Sequence, residues 1–176
     1  MPERTKNHIL HAFNRLVQKR NFDKITIENI CQEAEVGRTT FYRYFTDKYD
    51  LLDYSMYCTF HEHQNDESIQ TFRDIFYFVG QSCVDQWRPL ATLYDSTAIT
   101  TMHNSFQKYS EEFTRNFIEK NRPNAPLTKG EEIQLLVIAS GCGHLFENYT
   151  RGKLDVTPDE IAEAVYALVP DEIKCI

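Results

Sequence analysis

Apolar residues recur at the spacing of one helical face over the first twenty positions. Ile9, Phe13, Leu16 and Val17 line up on one face, which predicts a helix over residues 4–20. Lys19 and Arg20 stand in its last turn, where cations suit the helix end, and Asn21, tolerant of left-handed geometry, is expected to close it. A second face follows at Ile27, Ile30, Cys31 and Ala34, behind Thr26 as a helix cap. Glu35, Val36 and Gly37 break it. Phe41 and Phe45 then sit one turn apart and predict another short helix, whose Thr39, Thr40, Tyr42 and Arg43 turn outward. Asp47 is the expected cap of a longer helix running through LLDYSMYCTFHEH to about residue 64.

Gln64 to Ser68 is a polar break, after which SIQTFRDIFYFVGQSCVDQW has the pattern of a buried helix that Pro89 interrupts. Residues 97–120 carry Phe and Tyr at helical spacing and end at the loop NRPNAPL. Thr128 with Glu131, and Thr157 with Pro158 and Glu160, are two capping boxes that predict helices over 129–151 and 158–169. Gly141 and Gly143 lie inside the first of these. Glycine there costs about 1 kcal/mol relative to alanine, so a close helix-to-helix approach is the expected compensation. Strand-like alternation and repeats are missing, so the fold class expected is all-α.

At 176 residues and 41% hydrophobic content, the chain is able to bury a proper core. It has no run of about 18 apolar residues, and MPERTKNHIL lacks the apolar centre of a signal peptide, so a soluble cytoplasmic protein is expected, with no membrane partner. The cysteines at 31, 58, 83, 142 and 175 are odd in number and form no CxxC pair, which argues for buried reduced thiols and against a disulfide framework or zinc ribbon. The net charge of −7 is divided unevenly. Residues 1–50 hold nine Lys and Arg against seven Asp and Glu, whereas the remainder holds ten against nineteen. Any contact with phosphate therefore belongs to the N-terminal segment, and the rest should repel it.

The segment TIENICQEAEVGRTTFYRY thus reads as two short helices around a three-residue turn, ending in residue types that bind phosphates and base edges well. A core has no need of Arg38, Thr39, Tyr42, Arg43 and Lys48 grouped after a capped turn. Extended to KITIENICQEAEVGRTTFYRYFTDKYDLL, the string resembles the N-terminal domain of TetR-family transcriptional regulators, with Phe41, Tyr42, Arg43, Tyr44, Phe45 and Lys48 at matching places. The likeness covers about residues 5–55. Asn21 replaces a common glycine, and Gly37 stands where a capping Ser is frequent. The resemblance implies a three-helix helix-turn-helix DNA-binding domain over 1–50 and a helical dimerisation and signal-sensing domain over 51–176. It assigns Arg38 and Thr39 to base edges and Thr40, Tyr42, Tyr44 and Lys48 to phosphates. Arg43 suits either task, and Thr26 caps a helix whose first amides face the DNA backbone. FTDKYDLLDY and GCGHLFENYTRGKLDVTPDEIAEAV look like a subgroup with short C-terminal domains, which includes the activator of dihydroxyacetone kinase operons.

By the same resemblance the last two long helices pair with those of a second subunit. That implies a dimer face on Ile133, Leu136, Val137, Ser140, Gly141 and His144 of one helix and Ile161, Val165 and Leu168 of the next. Partners then follow: a double-stranded palindromic operator, a second copy of the chain, and either a small-molecule effector or a controlling protein. The expected function is a homodimeric repressor, with an activator governed by a protein partner as the alternative. Phe76, Cys83, Trp87, Tyr94, Phe106 and Tyr109 are candidates to line an effector cavity, although aromatics at helical spacing are more often core. Cys58, His61, Glu62 and His63 suggest a metal site by spacing, but no fourth ligand is identifiable and the polar break beyond favours a solvated helix end. No metal or cofactor is expected. Neither a nucleophile elbow nor a phosphate loop appears, so enzymatic activity has no support.

Overall fold

Each helix that a capping residue predicts begins where its cap stands. In the computed structural model, which describes residues 2–64, 66–122 and 125–174, Thr26, Asp47, Thr128 and Thr157 each bind the free amides of the turn that follows. Among the described residues all regular structure is helical. The chain packs as two compact units, residues 1–58 with 89–105 and residues 59–88 with 106–176.

The first unit opens with α1 (Pro2–Lys19), a 3₁₀ turn (Phe22–Lys24), α2 (Ile27–Glu33) and α3 (Arg38–Tyr44), followed by most of α4 (Lys48–Glu62). Its core is built from the periodic residues: Ile9, Phe13, Val17, Ile30, Phe41 and Phe45 are almost fully buried, together with Phe22, Ile25 and Leu51. Each such side chain stabilises the fold by about 1.5–3 kcal/mol relative to exposure. Arg15 of α1 donates to Glu33 of α2 at 2.8 Å and ties those helices at the surface. Asn21 does not adopt the left-handed geometry expected of it. Its backbone is extended (φ −59°, ψ 130°), because its side chain instead caps the 3₁₀ turn by accepting from the Asp23 amide at 2.8 Å.

In the second unit α5 (Phe72–Ser82) starts four residues later than the apolar pattern suggested, at a Thr71–Asp74 capping box. Ser68 belongs instead to a turn held by Asp66. Beyond Ser82 the chain passes through a π turn (Cys83–Trp87) into a 3₁₀ segment (Arg88–Asp95), so Pro89 lies after the pattern has already relaxed. The helices α6 (Ile99–Asn121), α7 (Lys129–Thr150), α8 (Pro158–Tyr166) and α9 (Asp171–Lys174) complete the chain. Phe60, Trp87, Phe106 and Phe146 form one aromatic cluster with centroids about 6 Å apart. Within this chain the close helix approach expected at Gly141 and Gly143 is made at another glycine. A Cβ at Gly141 would meet nothing within 4 Å and one at Gly143 only the Phe106 ring at 3.7 Å, whereas Gly80 of α5 lies against Pro158 of α8, 3.4 Å from a Cβ placed there. Cys31, Cys83 and Cys142 are buried and Cys58 is half-buried, while Cys175 lies outside the described residues.

Candidate nucleic-acid interface

Thr26 begins α2 with a reciprocal cap that sequence reading only half saw. Its hydroxyl accepts from the Asn29 amide at 3.2 Å, and the Asn29 side chain accepts from the Thr26 amide at 3.1 Å. The helix ends in a tight turn. Glu35 takes φ 49°, and the Glu35 and Val36 amides donate back to the carbonyls of Gln32 and Cys31. Gly37 is extended at the start of α3 and supplies no side-chain cap. Phe41, fully buried, and Phe45 then clamp α3 from below, their rings 5.8 Å apart.

This anchoring leaves Arg38, Thr39, Tyr42 and Arg43 in solvent on one side of α3, with Thr40 and Tyr44 half-buried at its flanks. Arg38 and Tyr42 stand one turn apart. The guanidinium is held above its ordinary value chiefly by a hydrogen bond to the Tyr42 phenol, so it stays fully charged. Lys48 occupies a different setting. Its Nζ donates to the carbonyls of Phe22 at 2.8 Å and Ile25 at 3.1 Å and lies 4.4 Å from the centre of the Phe22 ring, so in this state it secures the 3₁₀ turn before α2. Lys6, which no sequence argument singled out, lies 3.5 Å from the centre of the Tyr54 ring and 5.6 Å from that of Phe45.

Residues 9–54 match the family model of bacterial regulatory proteins, tetR family. These residues form a TetR-family domain. It contains the whole of α2, the turn and α3, and with them every DNA-contact candidate from Thr26 to Lys48. The chain is 36% identical over 64 residues to the HTH-type dhaKLM operon transcriptional activator DhaS of Lactococcus lactis subsp. lactis; the match spans 36% of this chain and 34% of that protein. In fold, the chain is similar to a solved dihydroxyacetone kinase operon activator DhaS (TM-score 0.68, 18% identity, 98% of this chain and 97% of that one). It is equally similar to a TetR transcriptional regulator from Rhodococcus sp. RHA1 (TM-score 0.71, 16% identity, 97% and 99%). The likeness of fold thus extends well beyond the TetR-family domain.

The second unit holds a cavity of about 280 Å³ between α5, α6 and α7. Its wall is apolar, with Phe146, Phe72, Ile118, Phe60 and Val79 most deeply buried, and Glu111, Arg115 and Glu132 supply the charged groups. Of the residues expected to line it, Phe76 and Phe106 do so. Cys83, Trp87, Tyr94 and Tyr109 do not: they are buried, and Trp87 belongs to the aromatic core. Cys142 lines the cavity unforeseen, its thiol pushed up to about 12 by burial.

On α7, Ile133, Leu136, Val137, Ser140, Gly141 and His144 form one exposed stripe, with Ile133 and Val137 more than 60% exposed. Leu168 is 69% exposed as well. Ile161 and Val165, expected on the same face, are instead buried within this chain, on a helix that packs along α5. His63, from the discarded metal constellation, lies against the Phe78 ring at 4.3 Å and pairs with Asp66.

Proposed function

We propose that this protein is a sequence-specific DNA-binding transcriptional regulator. The observation that carries the reading is the exposed row Arg38, Thr39, Tyr42 and Arg43 on a helix pinned by Phe41 and Phe45, within the TetR-family domain. A guanidinium fits the two acceptors of guanine, and hydroxyls and phenols fit phosphates, so Arg38 and Thr39 read bases while Thr40, Tyr42, Tyr44 and Arg43 hold the backbone. One seven-residue helix binds weakly. Two of them, about one helical repeat of DNA apart, read a palindrome together, and the α7 stripe with Leu168 supports a homodimer.

The apolar cavity supports control by a small molecule that relieves repression. A 150 Å³ apolar cavity takes a ligand of the size of benzene, so one of about 280 Å³ suits an uncharged molecule of roughly two rings. A second reading, an activator, is favoured by the match to a transcriptional activator over 64 residues. Selection of binding sites from random DNA tests the main claim. The expected product is a palindrome whose affinity falls steeply with salt, and Arg38→Ala relaxes the preference at one base pair of each half-site. If no sequence is enriched, or if Arg38→Ala leaves the selected sequence unchanged, the proposal fails.

A further inference from the structure

The TetR-family match ends at residue 54, yet the turn that leads into α2 is fastened by a residue far beyond it. Asp23, in the middle of the Phe22–Lys24 turn, accepts two hydrogen bonds from Thr97: from the amide at 3.0 Å and from the hydroxyl at 2.5 Å. The Thr97 hydroxyl is also 2.8 Å from the Tyr49 phenol. A carboxylate only accepts, so the Thr97 proton goes to Asp23 and the Tyr49 proton goes to Thr97. The polarity of the chain from Tyr49 through Thr97 to Asp23 is thereby fixed. Asp23 is held below its ordinary value chiefly by these Thr97 bonds, as befits a carboxylate that accepts both.

Thr97 is well placed to act as a fixed point. Leu93 and Ala98 on either side of it are buried to within 1%. Ser96 closes the intervening turn, donating to the Leu93 carbonyl at 2.7 Å and accepting from the Ala98 amide at 3.1 Å. The Tyr49 ring meets Phe22 edge-on at 5.2 Å, and Lys48 binds the carbonyls of Phe22 and Ile25. The turn is therefore gripped by α4 through Lys48 and by the 93–98 segment through Thr97. Thr26, the cap of α2, follows Ile25 directly.

We propose that Thr97 is a positioning residue for DNA binding: through Asp23 it fixes the turn from which α2 and then α3 are set. This rests on the regulator reading above and adds to it a determinant outside the helix-turn-helix. Thr97→Val is the decisive variant, because it is nearly isosteric and changes no charge. It removes the hydroxyl bonds and keeps the amide bond. Operator affinity is expected to fall about tenfold, while Thr97→Ser restores it. The slope of affinity against salt should stay that of the wild type, since no phosphate contact is removed. Amide hydrogen exchange across residues 23–29, measured without DNA, should quicken in Thr97→Val and not in Thr97→Ser. Tyr49→Phe, combined with Thr97→Val, should cost less than the sum of the two single changes, because both break one chain of bonds. If Thr97→Val binds the operator as the wild type does, or if Ser fails to rescue it, the positioning role is overturned alone. A wild-type protein that binds no DNA overturns the regulator reading and this role together.

Discussion

Arg38 leaves α3 at its first turn with its guanidinium in solvent, whereas the Lys48 ammonium is bound to two carbonyls of its own domain. The same charge thus has different consequences when removed. Lys48→Ala is expected to lower stability by about 1–2 kcal/mol, read as a lower melting temperature, because half-buried carbonyls lose a charged donor. Arg38→Ala should leave melting unchanged and alter base preference. Glu35, at φ 49°, carries the strain of a left-handed residue with a Cβ, so Glu35→Gly should stabilise the domain by about 1 kcal/mol in a denaturant titration. Glu131 gives the acid limit of the second unit. Hydrogen bonds from Arg122, then from Thr128, lower its carboxyl from 4.5 to about 2. A depressed folded value stabilises above the unfolded one and is lost on acidification, so this contribution is complete above pH 4.5 and disappears as pH falls towards 2. Glu131→Gln should flatten the acid side of the stability curve over that window.

Helix starts were legible in the sequence because caps are local: Thr26, Asp47, Thr128 and Thr157 bind amides within three residues. The two buried phenylalanines of α3 were legible for a related reason, since a seven-residue helix has room for only one apolar face. What a helix packs against is not local, and there the pattern misled. Ile161 and Val165 have the same spacing as a dimer seam, yet both are buried within this chain, where Gly80 and not Gly141 meets another helix closely. Trp87 and Cys83 were pocket candidates by type alone; both are buried away from the cavity, Trp87 against the rings of Phe60 and Phe106. The exposed α7 stripe gives the test at this scale. If the proposed homodimer forms through it, Val137→Glu should sediment as a monomer where the wild type sediments as a dimer, with the helical signal retained. Gly141→Ala should raise the stability of the folded chain by about 1 kcal/mol through helix propensity, since open space lies before Gly141.

At the scale of the whole molecule, charge and cavity separate two tasks. Residues 1–50 carry the small positive balance and the remainder is strongly acidic, so DNA binding should fall steeply between 50 and 200 mM salt, by roughly 10³-fold or more for a dimer making six or more phosphate contacts. Ala139, half-buried on the cavity wall, offers a way to fill the cavity without touching α3. Ala139→Phe should abolish the melting shift given by an apolar two-ring probe such as 1-naphthol and leave operator affinity intact. The unit that contains the TetR-family domain is itself discontinuous: it takes residues 89–105 along with 1–58. That has a bearing on portability. A chimera joined at residue 58 would carry the reading helix into a new regulator and leave behind Thr97, which holds the turn in front of it. Exchange of operator preference between two such proteins should therefore need two grafts, and a recombination event that moves the helix-turn-helix alone would deliver a module with its footing missing.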